Sequence, residues 1–119
     1  SFLYTKPMSC IGFWFALEDA NEENGCLQAM TGGHKIPLKK RFRLSENGGT
    51  EFELLDETPW PDQLLDMLEV KAGTLIILHG QLPHYSAANK SNKSRQAFSL
   101  HLVDQECHYA EDNWLQSDL

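Results

Sequence analysis

A histidine-rich block, His79-Gly80-Gln81-Leu82-Pro83-His84-Tyr85-Ser86, follows the aliphatic run Leu75-Ile76-Ile77-Leu78, and Arg95 stands eleven positions beyond His84. Imidazole is a good ligand for first-row metals such as Fe(II), and a planar guanidinium grips a carboxylate through two parallel hydrogen bonds. If His84 opens one strand and Arg95 opens the next antiparallel one, same-face side chains come within reach across the hairpin. A metal and a ligand carboxylate would then sit side by side. Taken alone, such a pair is more commonly a satisfied strand-end histidine and a surface arginine. A cupin-like set of His79, His84 and His101 is a further metal arrangement that these residues allow.

The elements that must position these groups read mostly as β. Residues 10–17 (C-I-G-F-W-F-A-L) are almost continuously apolar, as expected of a central strand with both faces covered. Residues 18–25 are acidic and end in Asn24-Gly25, a strong hairpin signal, so residues 26–30 read as the returning strand. Residues 35–49 are polar and glycine-terminated and read as an exposed loop. Residues 51–55 read as a short strand. Thr58-Pro59-Trp60-Pro61-Asp62, followed by Leu64, Leu65 and Leu68 at helical spacing, predicts one short helix or a turn. Residues 75–79 read as a second buried strand. In residues 95–103, alternation places Gln96, Phe98, Leu100 and Leu102 on a core face. Arg95, Ala97, Ser99, His101 and Val103 fall on the other face, whose small residues suit a cavity. Trp114 is expected to dock on the outside. The fold class predicted is all-β, a jelly roll or double-stranded β-helix with one short helix.

The chain has 119 residues, sized for one domain. Ten basic against 17 acidic side chains give a net charge of −7, which disfavours nucleic-acid binding. Lys35, Lys39, Lys40, Arg41 and Arg43 cluster, but such a cluster reads as a solvated turn. The apolar runs are too short for a membrane span. Three cysteines, Cys10, Cys26 and Cys107, are an odd number with no C-x-x-C spacing. They read as small buried side chains in a reducing, intracellular and cytoplasmic setting. The chain opens on Ser1-Phe2-Leu3-Tyr4, an apolar strand-like run, so sequence upstream of it and a jelly roll incomplete at the N-terminus are expected.

Six motifs change the weight of the His84–Arg95 pair. They are S-F-L-Y-T-K-P at residues 1–7, W-F-A-L-E-D-A at 14–20, E-N-G-C-L at 23–27, G-G-H-K at 32–35, H-G-x-x-x-H-x-S at 79–86 and S-R-Q-A-F-S-L-H-L at 94–102. In this order they resemble the phytanoyl-CoA dioxygenase (PhyH) family of Fe(II)/2-oxoglutarate oxygenases, with residues 36–68 unmatched. The resemblance implies that His84 is the distal histidine of a two-histidine, one-carboxylate iron site. It implies that Arg95 binds the far carboxylate of 2-oxoglutarate, with Ser86 and Trp14 lining the same pocket. No catalytic residue separate from the metal site is implied. The implied cofactors are Fe(II), 2-oxoglutarate as cosubstrate, and O2. The implied partner is a small organic or lipid-derived substrate, acyl-CoA being the one the family name suggests. The oligomeric state is left open.

The resemblance also implies two further ligands in a His-x-Asp motif upstream of the position of Ser1. None of His34, His79, His84, His101 and His108 is followed two residues later by Asp or Glu, and only the reversed Glu106-Cys107-His108 occurs. Residues 1–119 are therefore expected to be the C-terminal part of a single oxygenase domain, carrying one of three iron ligands and inactive alone. The alternative is a non-catalytic jelly-roll fragment that binds a carboxylate or a partner chain. Of the remaining polar residues, Glu18 and Asp19 read as turn formers. His34 and His79 read as structural, His101 as a cavity or packed histidine, and His108 and Tyr109 as an exposed tail. Trp60 reads as an apolar plug or a cover over the site, and residues 36–68 as the segment shaping the substrate pocket.

Overall fold

The computed structural model describes residues 1–116. In chain order the strands are β1 (Thr5–Lys6), β2 (Ile11–Ala16), β3 (Leu27–Ala29), β4 (Lys40–Leu44), β5 (Thr50–Leu54), β6 (Asp66–Leu68), β7 (Leu75–His79), β8 (His84–Ser86), β9 (Ala97–Leu102) and β10 (His108–Tyr109). They form antiparallel sheets ordered β7-β2-β9 and β6-β3-β8, with the smaller pairs β4-β5 and β1-β10. The chain is thus all-β, as expected of part of a jelly roll.

β2 is central because its alternation gives two usable faces. Gly12, Trp14 and Ala16 point inward and are buried. With Leu78 of β7, Leu27 of β3, and Ala20 and Cys26 of the connecting loop, Trp14 and Ala16 form the core between the two three-stranded sheets. The sheets thus face one another, and the burial of their inner sides is the main cohesive term.

The outer side of β7-β2-β9 differs from expectation. Register places Leu75, Phe15 and Phe98 in one row and Ile77, Phe13 and Leu100 in the next. Ile77 is 60% exposed and Phe98 51%. The apolar face of β9, expected to be core, is uncovered here, and so are the outward residues of β7 and β2. The core faces are instead Ala97, Ile76 and Leu78. Alternation separates two faces but does not say which one meets the second sheet.

Other differences have local causes. Asn24-Gly25 does not close a hairpin, because β2 and β3 belong to different sheets. Asn24 instead ties a loop between sheets, its Oδ1 accepting from Asn21 N–H and its Nδ2 donating to the Asp19 carbonyl, both at 2.8 Å. No helix forms over residues 58–68. β6 pairs Leu68 with Leu27, and the helical turn among the described residues is the short 3-10 segment Gly33–Lys35. Two prolines and a strand partner outweigh three leucines at helical spacing. His108 and Tyr109 pair with Lys6 and Thr5 rather than lying in a tail. Trp114 does dock, against Phe42 at 6.1 Å, and the three cysteines are free.

The basic cluster is not a solvated turn. Most of it lies in and beside β4, which pairs with β5. Arg41 and Arg43 both engage Asp112, and on the partner strand they meet Glu53 and Glu51. Lys39 is buried, its ammonium donating to the Thr58 carbonyl at 2.6 Å and pairing with Asp56 at 3.2 Å. Next to Asp112, Asn113 is fully buried and completes the link between the chain ends. Its Oδ1 accepts from Tyr4 N–H at 2.9 Å and its Nδ2 donates to the Tyr4 carbonyl at 2.8 Å.

Two predictions follow from these contacts. The Arg41 hydrogen bond holds the Asp112 carboxyl below its usual range. Its stabilisation is therefore present at neutral pH and lost as pH falls below about 4. Asp112→Ala should lower unfolding free energy by about 1 kcal/mol at pH 7, its carboxylate being partly screened by solvent, and by less at pH 3, read by urea denaturation. Equal losses at the two pH values would refute the pairing. Second, Ile77→Lys with Phe98→Lys should reduce binding of a hydrophobic dye and raise the concentration at which light scattering begins. A large fall in melting temperature would show instead that these residues are core.

Candidate functional site

Three segments from the two facing sheets converge on Arg95. β8 supplies Ser86, β2 supplies Trp14, and the loop before β3 supplies Gly25. Arg95 itself lies just before β9. Its Nη2 donates to Ser86 Oγ at 2.8 Å and its Nε donates to the Gly25 carbonyl at 3.0 Å. The guanidinium carbon sits 5.5 Å from the centre of the Trp14 ring, within the range of a cation–π contact. A guanidinium has five N–H donors, so three remain without a protein partner among the described residues, in a geometry suited to a carboxylate.

His84 and Arg95 are not cross-strand partners, contrary to the hairpin expectation. β8 pairs with β3 and β9 pairs with β2. The segment between them crosses from one sheet to the other, pinned by Lys90 N–H on the Glu23 carbonyl at 2.9 Å. The two residues are linked through Ser86, two positions from His84 on the same face of β8. A cavity of about 340 Å³ lies between the sheets there, lined by Trp14, His84, Ser86, Ser99 and His101. Ser99 and His101 come from the β9 face of small residues. The His101 ring packs over Gly12, 3.7 Å from where a β-carbon would stand, an ordinary contact distance.

The His84 tautomer is set by its neighbour. Nδ1 lies 2.8 Å from the Leu82 carbonyl, which can only accept, so Nδ1 carries the hydrogen. The Nε2 lone pair is then the one free to ligate a metal. The Ser86 hydroxyl hydrogen is also committed, to the Gly25 carbonyl at 2.6 Å. One carbonyl oxygen therefore anchors both Ser86 and Arg95.

The cupin-like set does not assemble. His79 Nδ1 accepts from Gln81 N–H at 3.0 Å, and its ring lies 5.2 Å from that of His34. Among the described residues no three His, Cys, Asp or Glu side chains gather as a metal site. His84 therefore fits one position of a ligand set, and Arg95 keeps three N–H donors without a protein partner among the described residues. On the other side of His84 lies a second cavity of about 240 Å³, walled by Ile36, Leu38, Trp60, Leu82 and Pro83.

Gly25 is the residue that inspection of the sequence undervalued. Its φ is 84°, and a β-carbon there would stand 2.5 Å from the Ala87 carbonyl oxygen. Asn24-Gly25 read as a hairpin signal, and nothing in it announced what the Gly25 carbonyl holds. Gly25→Ala should destabilise the fold by about 1–3 kcal/mol in urea unfolding. An unchanged midpoint would contradict the close approach.

The family model described as phytanoyl-CoA dioxygenase (PhyH) matches residues 1–97. The chain is 47% identical over 119 residues to "Phytanoyl-CoA dioxygenase" of Arabidopsis thaliana, covering 98% of this chain and 41% of that protein. It is 38% identical over 122 residues to "Phytanoyl-CoA dioxygenase domain-containing protein 1 homolog" of Dictyostelium discoideum, covering 98% and 43%. To "Phytanoyl-CoA dioxygenase domain-containing protein 1" of Danio rerio it is 37% identical over 123 residues, covering 98% and 42%. The chain spans about two-fifths of the length of these curated relatives. No helix among the described residues is long and apolar enough to cross a membrane. With a family model matched over residues 1–97, most of its length, the chain belongs to the phytanoyl-CoA dioxygenase family.

Proposed function

We propose that these 119 residues are the C-terminal part of a single oxygenase domain, the part that holds 2-oxoglutarate and one iron ligand of a dioxygenase. The observation that carries this reading is the Arg95 guanidinium, clamped by Ser86 and Gly25 and facing Trp14, with three N–H donors to spare. When bound, Fe(II) and 2-oxoglutarate supply the chemistry that couples decarboxylation of the 2-oxo acid by O2 to hydroxylation of a C–H bond.

The chain's own residues do the following. Arg95 receives the far carboxylate of 2-oxoglutarate through its free N–H edge, a charge-assisted contact. Trp14 keeps the guanidinium flat, and its indole excludes water from one side. Ser86 steadies Arg95 and can turn its hydroxyl hydrogen from Gly25 to the incoming carboxylate. His84 presents the Nε2 lone pair, oriented by Leu82. The other two metal ligands are assigned to residues outside this chain. The substrate is placed in the cavity on the far side of His84, shaped by Ile36, Leu38 and Trp60. A small organic or lipid-derived substrate suits those apolar walls. An acyl-CoA is the substrate class that the relatives' names suggest.

A second reading is favoured by the contrast between the anchored Arg95 guanidinium and a partial ligand set. In it, the chain by itself binds a carboxylate without turnover. Both readings are tested on the full-length protein and on this chain. In the full-length protein, Arg95→Ala should raise the KM for 2-oxoglutarate about 100-fold, and Arg95→Lys should restore little, because an ammonium lacks the planar fork. An unchanged KM would remove Arg95 from the site. This chain alone should bind Mn(II) weakly and release no succinate from 2-oxoglutarate. Submicromolar Mn(II) binding that survives His84→Ala would refute the assignment of His84.

A further inference from the structure

The guanidinium of Arg95 is held at its tip by Gly25 and Ser86, but its backbone is held by a different residue. Glu18 Oε1 accepts from Ser94 Oγ at 2.8 Å, and Glu18 Oε2 accepts from Gln96 N–H at 2.8 Å. These are the two neighbours of Arg95 in the chain. Leu17 N–H donates to the Gln96 carbonyl at 3.0 Å, bringing the end of β2 alongside. The two hydrogen bonds to Glu18 hold its carboxyl below the usual range, so at neutral pH it is ionised and acts only as an acceptor. Asp19, the next residue, turns elsewhere. Its carboxylate takes Lys71 Nζ at 2.8 Å and Ala72 N–H at 2.9 Å. Two adjacent acids that both read as turn formers therefore have separate tasks.

We propose that Glu18 is a positioning residue for the carboxylate clamp: by bridging Ser94 and Gln96 it sets where the Arg95 side chain leaves the backbone, so that the guanidinium reaches Trp14, Ser86 and Gly25. This rests on the reading of Arg95 as the carboxylate ligand. The physical reason is geometric. A bidentate grip needs two parallel hydrogen bonds, and a long side chain delivers them only when both its root and its tip are fixed. Gly25 and Ser86 fix the tip, and Glu18 fixes the root.

The test is the dissociation constant of 2-oxoglutarate on the full-length protein loaded with Mn(II), measured by calorimetry beside a thermal melt. Glu18→Ala should weaken binding about tenfold, the size expected from loss of a charge-assisted hydrogen bond. Glu18→Gln should stay within about threefold of wild type, because its amide oxygen still accepts from Gln96 and its NH2 can donate to Ser94 Oγ. Asp19→Ala should lower the melting temperature about as much as Glu18→Ala and leave the dissociation constant unchanged. If Asp19→Ala weakens binding equally, the effect is one of local stability and the proposal falls. Should Glu18→Ala fail to fold, Ser94→Ala removes one of the two bonds, and unchanged binding there overturns the proposal equally. Arg95→Ala separates this proposal from the reading beneath it. If Arg95→Ala weakens binding and Glu18→Ala does not, only the positioning role is lost. If neither matters, the clamp itself is misassigned.

Discussion

A single carbonyl oxygen constrains the rest of the site. Gly25 offers it to the Arg95 Nε–H and to the Ser86 hydroxyl at once. It can do so only because its backbone adopts a left-handed φ and passes closer to Ala87 than a β-carbon would permit. That approach in turn requires the two three-stranded sheets to pack face to face through Trp14, Ala16, Cys26 and Leu27. Trp14 serves both ends of this arrangement, burying its indole in the core while presenting one side to the guanidinium. Site and core are thus one packing problem.

The acidic side chains show how an excess of negative charge is put to structural use. Glu18 and Asp19 diverge from adjacent positions to hold separate loops. Asp112 gathers Arg41 and Arg43, and Asp56 meets the buried Lys39. Each takes hydrogen bonds that favour its ionised form, and each therefore favours neutral over acidic solution. By contrast, the outer face of β7-β2-β9 is apolar and largely uncovered. Hydrophobic burial in this chain is concentrated on one side of that sheet.

Membership of the phytanoyl-CoA dioxygenase family and the geometry around Arg95 fit together unevenly. Among the described residues Arg95 has an anchored guanidinium with N–H donors to spare, no three potential ligands gather as a metal site, and the chain spans about two-fifths of the relatives' length. In the proposed reading the cosubstrate's far end is held here, and its metal-binding end is completed by residues elsewhere. Ile36, Leu38 and Trp60, part of the wall of the apolar cavity beyond His84, fall in the stretch where family motifs were not recognisable, which suits a segment that differs with the substrate.

The sequence by itself determined the strand-rich class, the central place of β2 and the short list of polar residues on β8 and before β9. These depend on period-two patterning and motif order, both of them local or linear. It misassigned the basic residues of β4 and the buried face of β9, and of the helix or turn read over residues 58–68 no helix forms. Ion-pair partners such as Asp112, the pairing of Leu68 with Leu27 and the side on which the second sheet lands are separated along the chain by tens of residues. Tertiary structure alone decided that Arg95 meets Ser86 of the facing sheet rather than His84 along a hairpin. It also decided that Glu18 faces the neighbours of Arg95 while Asp19 does not. Such choices depend on which backbones approach in space, and a linear pattern carries no record of that.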